Sequence, residues 1–88
     1  MSVINKVIVT SQLENGDSID VSVKEIDRPL THEDRIKLDA RIKHSIIPNL
    51  DDTLYIKVRL SLGKKKDNWN KIKTVTELND ILDKIFIN

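Results

Sequence analysis

The chain has 88 residues, enough for one small domain over 1–88 and too few for a second. Apolar residues make up 39% of it and aromatics 3%, so the core is thin and built mostly from Ile, Leu and Val. Fifteen basic and fourteen acidic residues leave a net charge of +1, and the absence of cysteine excludes the disulfide-stapled scaffold of small secreted domains.

The N-terminus has no apolar region resembling a signal peptide, and no apolar run is long enough to cross a bilayer. The expected setting is cytoplasmic, in its own cell or in the host cytoplasm of a viral product. Ile, Lys and Asn supply 31 of the 88 residues. That bias points to an AT-rich genome, such as a low-GC bacterium or its phage. The charge is unevenly spread: residues 53–75 carry a net of +6 and the remainder −5. A segment of this kind can steer a polyanionic partner.

The first predicted element is a hairpin from about Val3 to Ile26, with Glu14-Asn15-Gly16-Asp17 as its turn. A two-residue Asn-Gly loop would split the apolar residues between faces. A three-residue loop with Gly16 in the left-handed region pairs Ser11 with Ile19, Val9 with Val21 and Val7 with Val23. All the valines then share one face, and register follows the buried face. Ile4 and Ile8 fall on the other face, so the first strand is expected to be internal.

Pro29 closes the strand region. Thr31 is expected to cap a helix, with Glu33 and Asp34 in its first turn. Ile36, Leu38, Ala40 and Ile42 alternate as a strand would. The run continues to Ile47 without a turn signal, and Glu33/Lys37 and Asp39/Lys43 sit at i,i+4, so helix is the better reading. Pro48 and Asn49 are expected to stop it.

Thr53 to Leu62 is a strand with Leu54, Ile56, Val58, Leu60 and Leu62 on one side. After a loop at residues 63–67, Trp69 to Lys73 returns as a weaker strand. In the last segment Leu78, Ile81, Leu82, Ile85 and Phe86 follow helical spacing. Thr74 or Thr76 caps it, and Thr74 with Glu77 matches a capping box. The predicted fold is therefore α+β, in the order β-β-α-β-β-α. Its sheet is expected to have four antiparallel strands, ordered 2-1-3-4, with two helices on one face.

Catalytic signatures are missing. Gly16 and Gly63, the only glycines, cannot make a phosphate loop, and no serine or cysteine nucleophile motif is present. His32 and His44 lie about three helical turns apart with no partner at metal spacing, and read as surface residues. Asp51-Asp52 reads as a turn. The expectation is a protein that is not an enzyme, with no cofactor and no metal.

The exposed face of the third and fourth strands carries more. Tyr55, Lys57 and Arg59 are expected to point the same way as Trp69, Lys71 and Lys73, a basic, aromatic surface able to stack bases and neutralise phosphates. A solvated sheet face would also be rich in lysine. Lys64, Lys65 and Lys66 extend the basic segment, or simply keep a hairpin tip soluble. The expected function is a small non-catalytic interaction protein, a regulator, adaptor or inhibitor, binding a protein partner. The alternative is a nucleic-acid-binding module using the basic face. A homodimer through a sheet edge is a further expectation, and no membrane association is expected.

Overall fold

The computed structural model describes residues 4–24, 28–62 and 68–86. Over them the chain is α+β, an antiparallel sheet with two helices packed on one of its faces. Strands β1 (Ile4–Leu13) and β2 (Ser18–Lys24) form the hairpin. Its loop is Glu14-Asn15-Gly16: the Leu13 amide donates to the Asp17 carbonyl at 2.8 Å, and the Gly16 amide to the Leu13 carbonyl at 3.2 Å. Gly16 has φ +96°, a conformation β-carbon sterics disfavour in other residues. The loop pairs Val7 with Val23, Val9 with Val21 and Ser11 with Ile19. All four valines are buried as a result.

Helix α1 (His32–Arg41) begins at Thr31, whose amide donates to the Asp34 carboxylate at 2.8 Å. Pro48 does not stop the helical path, contrary to expectation. The chain continues through a π-helical turn, Ile42–Ile46, and a 3-10 turn, Ile47–Asp52. Proline is tolerated in the first turn of the latter, where no amide donor is required. The widened turn keeps Leu38, Ile42 and Ile46 all inside the core and leaves Ile47 exposed. The i,i+4 pairing also differs from expectation, since Asp39 takes Arg35, its Nε at 3.0 Å.

Strand β3 (Thr53–Leu62) pairs antiparallel with β1, which places β1 between β2 and β3. Ile56 and Val58 are fully buried, as their parity requires. Leu54 is not: it is 52% exposed. The register explains the correction. Gln12 pairs with Tyr55 but Leu13 with Thr53, so Leu54 is the extra residue of a β-bulge. Thr53 takes the inward place, where its hydroxyl lies 2.7 Å from that of buried Ser11 and donates to the Asn49 carbonyl at 2.8 Å. Segment β4 (Asn68–Ile72) runs antiparallel beside β3, one residue earlier than expected, with Ile72 opposite Ile56 and buried.

Helix α2 (Val75–Ile85) is capped by Thr74, whose hydroxyl accepts from the Glu77 amide at 3.1 Å. Leu78, Leu82 and Phe86 pack into the same core as the strand valines and the α1 residues. Arg35 ties the two helices together, donating to Asp83 at 2.9 Å while its guanidinium lies 5.9 Å from the Phe86 ring centroid. Arg41 reaches from α1 to the Ser22 carbonyl of β2.

Candidate binding face on the uncovered side of the sheet

Both helices lie on the valine side, because strand residues of one parity join the helical core. Residues of the opposite parity form the other face, which neither helix covers. Cross-strand register arranges it in rows. At one end Lys24 stands opposite Lys6. The next row is Ser22, Ile8, Arg59 and position 69. Then come Asp20, Thr10, Lys57 and position 71, and finally Ser18, Gln12 and Tyr55.

Tyr55, Lys57 and Arg59 are half-buried and consecutive on one side of β3. The Lys57 ammonium lies 5.6 Å from the Tyr55 ring centroid, a cation–π contact. Lys73 is exposed and falls just past the last paired residue of β4. Trp69 and Lys71 take their register positions opposite Arg59 and Lys57, while their side chains lie outside the described set. Lys64, Lys65 and Lys66 lie outside the described residues altogether.

The structure adds residues that the strand-by-strand reading missed. Lys6, Lys24 and Asp20 share this face with Lys57 and Arg59. Their signal was present in the sequence, because the register that pairs Val7 with Val23 also pairs Lys6 with Lys24. Cations thus outnumber acids on the paired rows, Lys6, Lys24, Lys57 and Arg59 standing against Asp20. A shallow depression of about 240 Å³ opens among Thr10, Gln12, Ser18, Asp20, Lys57 and Arg59. Its rim offers hydroxyl, amide, carboxylate and cationic groups together. The Gln12 amide nitrogen also donates to the Asp17 carbonyl at 3.2 Å, which ties the face to the hairpin loop.

No relative answers for this face. Comparison with known proteins finds no matching family model, no matching curated protein and no matching solved structure, so the face must be read from its own residues.

The remaining polar features are less promising. A second depression of about 330 Å³ is lined by Leu13, Glu14, Asn15, Asn49 and Asp52. It brings two carboxylates near each other, but among the described residues no group of three or more His, Cys, Asp or Glu could hold a metal ion. His32 and His44 are exposed, on α1 and the π-helical turn respectively. Asp51 and Asp52 are exposed within the 3-10 turn, where the Asp52 carbonyl accepts from the Glu14 amide at 2.9 Å.

Asp34 is buried and its carboxyl is held down to about 2, first by the hydrogen bond from Arg28 and then by the Thr31 amide and hydroxyl, against the opposing effect of burial. All three donors converge on one oxygen, at 2.9, 2.8 and 3.1 Å. A carboxylate so thoroughly satisfied anchors the start of α1 and has little basicity left for proton transfer. No helix among the described residues is long and apolar enough to cross a membrane.

Proposed function

We propose that this chain is a small non-catalytic interaction protein whose uncovered sheet face is its contact surface for an anionic partner. It works as a regulator, adaptor or inhibitor by occupying that partner. The supporting observation is the clustering of Lys6, Lys24, Lys57 and Arg59 against Asp20 on the paired rows of the described residues, on the side of the sheet without helices. Cations gathered on one surface raise the local concentration of a polyanion and speed encounter. The reading takes β4 as a working fourth strand, in the order β2-β1-β3-β4, so that Lys71 and Trp69 extend the face beyond β3. A chain without cysteine suits the reducing cytoplasm.

Retention on immobilised heparin tests this. The protein should bind at low salt and elute as salt rises, with a slope that records its ionic contacts. Lys57→Glu with Arg59→Glu should abolish retention while shifting the melting temperature by only about 2–4 °C, since both charged groups lie on the uncovered face, away from the core. Equal retention of the double variant would remove this face as the contact surface.

A further inference from the structure

We infer that the anionic partner is a single-stranded polynucleotide, lying along β3 with its phosphates over Lys57 and Arg59 and its bases toward Tyr55 and the β1–β2 side of the depression. This inference rests on the reading of the uncovered face as an anion-binding surface and names the partner. Three features of that face support a single strand over a duplex or an acidic protein.

The first is charge complementarity with direction. Tyr55, Lys57 and Arg59 recur along β3 at intervals of about 7 Å, the span of two strand residues. Two of the three, Lys57 and Arg59, are cations, and cations in line along an extended strand suit a partner whose negative charges repeat along its length.

The second is the aromatic ring beside the cation. The Lys57 ammonium lies over one face of the Tyr55 ring, 5.6 Å from its centroid, so one small patch holds a cation for a phosphate and, on the opposite ring face, a surface for a base. Every base has a π-face, and base–aromatic stacking operates only where bases are unpaired and accessible. A duplex keeps its bases stacked inside and presents phosphates alone.

The third is the mixed chemistry next to the cations. Asp20 lies across the depression from Lys57 and Arg59. Its carboxylate repels phosphate and accepts hydrogen bonds, as do the hydroxyls of Thr10 and Ser18, while the hydroxyls also donate. Phosphates are therefore steered to the β3 side, and base edges or sugar hydroxyls to the β1–β2 side. A surface meant only for acidic residues would have no use for an acid on its β2 rim.

The experiment is fluorescence anisotropy of labelled ten-nucleotide single strands with the full chain, competed by the matching duplex, heparin and poly-glutamate. The expected result is binding to single strands at least tenfold tighter than to the duplex. Tyr55→Ala should weaken it between about fivefold and a hundredfold, the measured range for loss of one stacking ring. Tyr55→Leu, which keeps apolar contact with the sheet, should show the same loss with unchanged melting temperature, and Tyr55→Phe should retain most of the affinity. Heparin retention should be the same in all three variants. Equal affinity for single strand and duplex, with Tyr55→Leu neutral, would overturn the single-strand inference and leave the anion-binding face intact. Tighter binding of poly-glutamate than of any oligonucleotide would overturn it in favour of an acidic protein. Failure of heparin as well as oligonucleotide to bind would overturn both this inference and the reading beneath it.

Discussion

Asp34 shows how one residue can tie stability to pH. Its carboxyl titrates near 4 in an unfolded chain and at about 2 here, with Arg28 the largest cause. A lowered folded-state value stabilises the protein above the unfolded value, and the benefit is lost as pH falls through the folded one. The window therefore runs from about pH 4 down to about pH 2, and the contribution is roughly 2 kcal/mol. Asp34→Asn should be less stable by about that amount at pH 7 and nearly equal to the natural chain at pH 2. Urea midpoints across this range decide it, and a constant offset at every pH would show that Asp34 acts through packing alone. Gly16 poses a different single-residue problem. A β-carbon there would meet nothing within 4 Å, so any cost of substitution comes from the backbone at φ +96°. Gly16→Val should cost about 1–2 kcal/mol, and Gly16→Asn distinctly less, because asparagine visits the left-handed region more readily. Equal stability of the Val and Asn variants in urea would mean the loop relaxes to another turn.

Each element owes its position to a buried stripe and a few polar ties. In α2 the stripe is Leu78, Leu82 and Phe86, and its first turn is closed by the reciprocal Thr74–Glu77 bonds. Leu82 is fully buried against the strand core, so Leu82→Ala should cost about 2–5 kcal/mol through lost contacts and the cavity left behind. That is a large share of the stability of so small a domain. Chemical denaturation of the two forms checks it, and an unchanged midpoint would mean that α2 is not part of the cooperative core. The Arg35–Asp83 bridge across α1 and α2 is a weaker tie, because Asp83 is largely exposed and its pairing is screened by water. In the hairpin and β3 the decisive device is register. One bulged residue, Leu54, turns outward so that Thr53 can meet Ser11, and a buried hydroxyl gains its partner at the expense of an exposed leucine.

At the scale of the whole molecule one face of the sheet is committed to the core, and the other carries the proposed contact surface. Helices cover one face and bury Val7, Val9, Val21, Val23, Ile56 and Val58. The other carries the cations and Tyr55, whose side chains are largely outside the core. Charge reversal at Lys57 and Arg59 is therefore expected to change binding and leave folding nearly untouched. Leu82→Ala should do the opposite, so the two classes of variant separate in one pair of assays. The edges of the sheet are handled unequally. Arg41 covers the Ser22 carbonyl on the β2 side and links that edge to α1. This is one way for a fold to keep an edge strand from pairing with another chain.

Much of this was legible in the residues, for local reasons. The loop at Gly16 and the hairpin register followed from placing four valines on one face. Helix over strand at residues 31–47 followed from length and the absence of a turn. The α2 stripe and its Thr74 cap were plain from spacing. What the residues could not reveal depended on distant partners. Leu54 has core parity in its own strand, and only the pairing of Leu13 with Thr53 turns it outward. Pro48 reads as a stop, and only the need to bury Ile46 while returning to β3 carries the chain past it. The pairing of Lys6 with Lys24 was implicit in the valine register, but the alignment of that pair with Lys57 and Arg59 rests on the register of β1 against β3, which no local signal sets. Local periodicity is set by neighbours in sequence and so is visible there. A surface shared by three strands is set by long-range pairing, which only the folded chain specifies.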